Sequence, residues 1–164
     1  MASDENFEHG ELFSRERNVA AVTVNLATER VELTPSVVVA FPRSPTVLAS
    51  QAWDLHANSN GRFVLGLGSQ VKGHNERRFG IPWTAPAPRM RDYVLALRAS
   101  WTCWETRGRL NFDSPHYKLS LMTPDFSPEP TGLPMVPVTI AAVGEAMLRV
   151  AGQVELAGLE AAPN

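Results

Sequence analysis

The sequence predicts an α/β fold in which parallel strands alternate with helices. Three observations carry that prediction. In the stretch GRFVLGLGSQV, residues Phe63, Val64, Leu65 and Leu67 form a nearly continuous apolar run. That is the pattern of a strand buried on both faces, not of one with a wet side. Residues 88–105 repeat apolar side chains at spacings of three and four: Met90, Val94, Leu97, Trp101 and Trp104, with Arg91, Asp92, Arg98 and Glu105 off that face. This spacing predicts a helix. Finally, candidate strands and helices alternate along the chain, which implies βαβ units with right-handed crossovers.

Taken in order, residues 1–17 are rich in charge and poor in apolar side chains, and read as a loose leader. Residues 18–29 place Val19, Val22 and Leu26 on one helical face. Residues 31–41, VELTPSVVVAF, read as a strand with β-branched residues in its second half, and Pro35 predicts a bulge or bend there. Pro42-Arg43-Ser44-Pro45 turns into a helix, with Ser44 as candidate N-cap and Pro45 as first helical residue. Leu48, Ala52 and Leu55 make its buried stripe to about residue 57, and Asn58-Ser59-Asn60-Gly61 is loop chemistry.

The central strand follows. It ends on Gly66 and Gly68, whose backbone can approach a neighbour closely or take positive φ. Ser69 and Gln70 then offer hydrogen-bonding groups at the strand's carboxyl end, where α/β folds bind ligands; a simple chain reversal is the competing reading. Residues 71–87, with Pro82 and Pro86, read as a polar excursion. After the long helix, residues 107–117 suggest a hairpin, and residues 119–134, with four prolines, an extended loop. Residues 136–143 read as a third short strand, and residues 144–154 as a helix with Met147, Val150, Ala151 and Val154 on one side. Three strands are too few for a closed eight-stranded barrel, which takes roughly 250 residues.

Composition narrows the function. The chain has 164 residues, 44% of them hydrophobic, and a net charge of -2, which leaves no electrostatic footprint for nucleic acid or an anionic membrane. No apolar run approaches the roughly 20 residues a membrane helix needs. The polar N-terminus does not resemble a secretory signal, and the single Cys103 fits a reducing compartment, so the cytoplasm is the expected location. His56, His74 and His116 lack metal-ligand spacing. His74, just beyond the strand-end turn, is a candidate substrate contact or a solvated loop residue. Arg43 is a candidate partner for a coenzyme or substrate anion, or for a salt bridge at the start of a helix. Cys103, Trp101 and Trp104 read as packing, and Arg77 and Arg78 as solvated. GLGSQV lacks the third glycine of the dinucleotide fingerprint.

The runs SVVVAFPRSP, AWDLHANSNGRFVLGLGSQVKGHNERRFG, PAPRMRDYVLALRASW, LMTPDFSP and VTIAAVGEAMLRVAG together resemble the luciferase-like monooxygenase superfamily, and within it the oxidoreductases that use the deazaflavin coenzyme F-420. The resemblance implies a partial TIM-type (β/α)8 barrel domain over residues 18–157, with an insertion near 107–134 and a tail at 158–164. It implies coenzyme F-420, or alternatively FMN, at the carboxyl ends of the strands. The pair Ser36-Val37 matches the position of a non-prolyl cis peptide that backs the coenzyme ring in many members. Gly68, Ser69 and Gln70 match a coenzyme-contacting turn. The implied activity is hydride transfer between coenzyme and an organic small-molecule substrate. The barrel strands on both sides of the matched region have no counterpart here, so the resemblance also implies truncation at both ends. The alternatives are then a non-catalytic remnant of such an enzyme, or an incomplete barrel closed by a homo-oligomer or a completing chain.

Overall fold

The computed structural model describes residues 28–159. The leader expected over residues 1–17, and all but the end of the helix expected over residues 18–29, lie outside them. Strand β1 (Val38–Val39) is followed by α1 (Pro45–Asn58), β2 (Leu65–Gly68), α2 (Lys72–Arg77) and α3 (Pro86–Thr106). A hairpin of β3 (Phe112–Asp113) and β4 (Lys118–Leu119), a 3-10 turn (Pro124–Phe126), β5 (Val138–Ile140) and α4 (Glu145–Leu159) complete the described chain. Strands β1, β2 and β5 form one parallel sheet in that order, with β2 at its centre.

The register explains why the first strand is so short. Leu33 bridges Phe63, and pairing resumes where Val38 meets Leu67. Five steps separate Leu33 from Val38, but only four separate Phe63 from Leu67. The first strand therefore carries one extra residue, the definition of a bulge. The 11-residue strand expected at 31–41 is thus a bridge, a bulge and a two-residue strand. Pro35, which has no N–H to give a ladder, lies in the bulge as expected.

Helices supply most of the core. In α3, Met90, Val94, Leu97, Trp101 and Trp104 are all buried, as their spacing predicts. The Trp101 indole N–H donates to Ala49 O at 3.0 Å and ties α3 to α1. Trp53 meets Trp104 edge to face, with ring centroids 5.6 Å apart, a favourable geometry for aromatic quadrupoles. In α4, Met147, Val150 and Val154 face the same core. Cys103 is buried, and its thiol donates to Gly108 O. Burial pushes that thiol's pKa up, which suppresses the reactive thiolate.

Four details depart from the periodicity. Ser44 sits at the N-cap of α1, but its hydroxyl makes no capping bond. Its carbonyl takes the Leu48 N–H, and Pro45 removes one of the N–H groups a cap would serve. Leu55 is only half-buried, whereas Ala49, Trp53 and His56 are buried, so the inward face of α1 is rotated from the predicted stripe. The excursion after β2 contains the six-residue helix α2. Asp92 is buried at 5% exposure, because the hairpin covers that side of α3. His116 from the hairpin turn contributes Nδ1 at 2.7 Å from Asp92 Oδ2.

Residues 107–134 are anchored at several points. Glu105 accepts the N–H groups of Thr131 and Gly132 at 3.0 and 2.9 Å. Arg107 pairs with Glu129. His56 is 3% exposed, with Nδ1 3.0 Å from Phe63 O and Nε2 2.9 Å from Pro134 O. His56, which lacks metal-ligand spacing in the sequence, therefore links the start of β2 to the end of the excursion.

Candidate functional site

The bulge just before β1 and the carboxyl end of β2 bring most of the predicted site residues together. The Ser36-Val37 peptide is cis. Val37 lies directly over β2, since a Cβ placed on Gly68 would come within 2.6 Å of Val37 Cγ2. A Cβ on Gly66 would come within 2.1 Å of Pro35 O. Neither glycine is among the positive-φ residues. Close approach of the bulge explains both, and backbone freedom explains neither. The bulge and the β2 glycines form one continuous wall of backbone.

The chain then leaves the strand through Ser69 and Gln70, both half-buried. Gln70 has φ 60, in the left-handed region where a residue with a Cβ costs roughly 1–2 kcal/mol. Two contacts hold it. Gln70 Oε1 accepts the Val71 N–H at 2.9 Å. Asn75, 1% exposed, donates Nδ2 to Ser69 O at 3.0 Å and to Val71 O at 3.2 Å. Two carbonyl acceptors fix which end of that amide is the NH2, because an amide oxygen there would face two other oxygens. Asn75 Oδ1 is left buried and without a donor. No periodic signal marks Asn75; its position five residues past a strand-end turn is the only cue.

Among the described residues the hydroxyls of Ser36 and Ser69 and the amide NH2 of Gln70 make no hydrogen bond. These groups border the backbone wall, and they suit a flat ring that carries carbonyl and ring-nitrogen acceptors. The residues present therefore fit a deazaflavin or flavin ring. His74 lies on α2 with an exposed side chain that makes no hydrogen bond to the other predicted site residues.

A cationic and phenolic layer flanks the end of β1. Arg43 donates Nη1 to Val39 O at 2.7 Å. Arg89 donates Nε to the Tyr117 hydroxyl at 3.2 Å and Nη1 to Pro82 O at 3.3 Å, and its guanidinium carbon lies 4.5 Å from the Phe41 ring centroid. Neither arginine pairs with a carboxylate among the described residues, so the salt bridge considered for Arg43 is not formed. Tyr93 is fully buried, donates its hydroxyl to Arg43 O at 3.2 Å, and stacks edge to face on Tyr117. Burial raises both phenol pKa values; Arg43 and Arg89 partly offset this at Tyr93, and the Arg89 hydrogen bond does so at Tyr117.

A separate groove of about 370 Å³ lies between the first turns of α1 and the segment after β4, with Val47, Trp104, Leu121, Met122 and Phe126 among its lining. It shares no residue with the strand-end site. Among the described residues no group of three or more His, Cys, Asp or Glu side chains is placed to hold a metal. No helix there is long and apolar enough to cross a membrane.

Comparison with known proteins places this geometry. Residues 6–157 match the family model described as luciferase-like monooxygenase. An uncharacterized protein of Mycobacterium tuberculosis is 48% identical over 127 residues, covering 77% of this chain and 37% of that protein. A phthiodiolone/phenolphthiodiolone dimycocerosates ketoreductase of a Mycobacterium species is 34% identical over 125 residues, covering 76% of this chain and 31% of its own length. The coenzyme F-420-dependent tetrahydromethanopterin reductase of Methanopyrus kandleri superposes with a TM-score of 0.64 at 18% identity, over 83% of this chain and 41% of that one. The chain thus spans between about a third and two fifths of the proteins it matches. The parallel sheet and its helices correspond to part of a TIM-type barrel.

Proposed function

Since the chain belongs to the luciferase-like monooxygenase family, we propose that it forms the coenzyme-backing part of an oxidoreductase that uses coenzyme F-420, with FMN as the alternative. The observation that carries this reading is the backbone wall where the bulge at Pro35–Val37 lies on Gly66 and Gly68, next to the unspent polar groups of Ser36, Ser69 and Gln70. When bound there, the coenzyme would supply hydride chemistry to an organic substrate. The names of two matched proteins, a ketoreductase and an F-420-dependent reductase, favour a reduction, and the first favours a carbonyl carbon as acceptor.

The chain's own residues would do four things. Ser36 and Val37 back one face of the ring and keep water from it. Ser69 and Gln70 hold the ring edge through a hydroxyl and an amide. Asn75 fixes the turn that presents them. Arg43 faces the coenzyme's anionic portion from the end of β1, with His74 left as a candidate contact on the substrate side. In this reading β1 and β5, the outer strands of the described sheet, each take a further parallel strand to continue the barrel. Those strands come from the same polypeptide or from a second chain.

The test is an equilibrium titration of the folded chain with coenzyme F-420, read by its fluorescence, with FMN in parallel. Saturable binding of F-420 is expected, weakened at least several-fold in Ser69→Ala/Gln70→Ala. Binding of FMN alone would move the assignment to flavin, and binding of neither by a folded chain would overturn the coenzyme site.

A further inference from the structure

Independently of the coenzyme reading, we infer that the groove between the first turns of α1 and the segment after β4 is a second binding site. Its ligand is uncharged, with an apolar chain and a carbonyl acceptor, as in a fatty acyl ester. The first observation is where apolar exposure gathers. Phe126, Leu121 and Val47 are 82%, 79% and 56% exposed, and all three line this one groove together with Met122 and Trp104. Apolar side chains scattered singly over a surface need no explanation, but a contiguous set around a cavity does. At about 370 Å³ the cavity falls within the range of small-molecule sites, roughly 300–1,000 Å³.

The second observation is an unpaired donor. The indole N–H groups of Trp53 and Trp101 donate to Glu129 O and Ala49 O, at 3.3 and 3.0 Å. Trp104, 1% exposed and part of the groove wall, is the exception: its Nε1 is buried with no acceptor among the described residues. Leaving a buried N–H unpaired is costly, and an indole nitrogen can only donate, so the group that relieves it must be an acceptor. The hydroxyls of Thr46, Ser50 and Thr123, also in the lining, make no hydrogen bond among the described residues. None of the lining residues is charged, so an ionised ligand would give up its hydration for nothing in return. An uncharged acyl ester answers both features, with its chain along Val47, Leu121, Met122 and Phe126 and its carbonyl serving the Trp104 N–H.

The third observation is that the walls are already built. Val47 and Ser50, three residues apart, share one side of α1. The opposite wall is a 3-10 turn closed by its own bonds. The Phe126 N–H donates to Thr123 O at 3.0 Å, the Ser127 N–H to Pro124 O at 3.1 Å, and the Ser127 hydroxyl to Thr123 O at 3.0 Å. The bond from Trp53 to Glu129 O anchors the chain just beyond it. Little ordering is therefore left for a ligand to impose. Met122, unbranched and half-buried, gives the wall enough play to admit a chain.

The test follows the indole N–H resonances of the full chain by NMR during titration with methyl octanoate, octane and octanoate. The Trp104 signal is identified as the one missing from Trp104→Phe. The ester is expected to bind saturably and to move the Trp104 N–H proton downfield. Octane should enter without that shift, and octanoate should bind roughly tenfold more weakly than the ester. Phe126→Ala, at a largely exposed position, should keep the fold and weaken the ester several-fold, so the test does not depend on Trp104→Phe being folded. A Trp104 signal unmoved at saturation, octanoate binding as tight as the ester, or full affinity in Phe126→Ala overturns the site. Silence toward all three compounds overturns it as well; light scattering then shows whether a second copy covers this face, as a dimer that Phe126→Asp splits. The groove shares no residue with the strand-end site, so each of these outcomes leaves the coenzyme reading standing.

Discussion

The two faces of strand β2 are built on opposite plans. Phe63, Leu65 and Leu67 alternate onto one face and enter the main apolar core, at 2%, 1% and 0% exposure, together with residues of α1, α3 and α4. Val64, Gly66 and Gly68 alternate onto the other. There the two glycines meet the backbone of Pro35 and the side chain of Val37. One face is filled by large side chains, the other by their absence. The first stabilises the domain through apolar burial; the second lets two strands approach closely enough to make a backbone surface beside the candidate ring site.

This contrast is broken most severely by one substitution on each face. Leu67→Ala leaves a cavity in a fully buried position and should cost about 2–5 kcal/mol. Gly66→Ala adds a single methyl but aims it at a backbone carbonyl, which cannot rotate away, and should cost about 1–3 kcal/mol by overpacking. Chemical denaturation reads both. The distinguishing result is in coenzyme binding: Leu67→Ala, measured under conditions where it is folded, should retain affinity, whereas Gly66→Ala should lose it by displacing the bulge. Equal losses in both would mean that the bulge is not part of the binding surface.

The helix-facing half was the legible half. Apolar spacing located α1, α3 and α4, and the unbroken apolar run of β2 announced burial on both sides. Helices are written in side chains at regular intervals, so periodicity finds them. The bulge is written in register, a mismatch of one residue between two strands far apart in sequence, and only Pro35 hinted at it. The glycines were visible but their reason was not, because close approach and positive φ call for the same residue. Ser36, Val37 and Gly68 were gathered by family resemblance and meet in space. Asn75, Arg89, Tyr117 and the His116–Asp92 pair were missed as site or tether residues, since each acts through a partner more than five residues away or on a different element. Asp92 was placed outside because the hairpin that covers it is invisible to helical periodicity.

The helix-facing side also has a pH signature. Tyr93 is fully buried on α3, and its pKa is raised above the ordinary 10.0 chiefly by burial. The folded state then keeps the phenol proton to higher pH than the unfolded chain does. Stability from this group is fully present below about pH 10 and is lost as pH rises toward the folded value, at up to about 1.4 kcal/mol per pH unit. Urea midpoints between pH 9 and 11.5 should fall accordingly. Tyr93→Phe should flatten that slope while costing about 1 kcal/mol at neutral pH for the lost bond to Arg43 O. An unchanged alkaline slope in the variant would show that other groups cause it.

The smallest effect is the most specific to the glycine face. Gly68→Ala meets a side-chain methyl, Val37 Cγ2, where Gly66→Ala meets a carbonyl. A methyl on a β-branched residue can be removed without touching the backbone, so the clash has a remedy. Gly68→Ala alone should cost about 1 kcal/mol or somewhat more. Val37→Ala alone should cost less than a core truncation, because Val37 is only partly buried. Combined, the two should be less damaging than their sum by roughly 0.5–1 kcal/mol, since the added methyl takes the space the removed one leaves. Gly66→Ala should show no such rescue by Val37→Ala. That difference between neighbouring glycines on one strand separates a wall made by backbone from one made by side chains. Additive costs at Gly68 and Val37 would instead mean that the bulge moves as a unit and that the contact seen here is not what requires glycine.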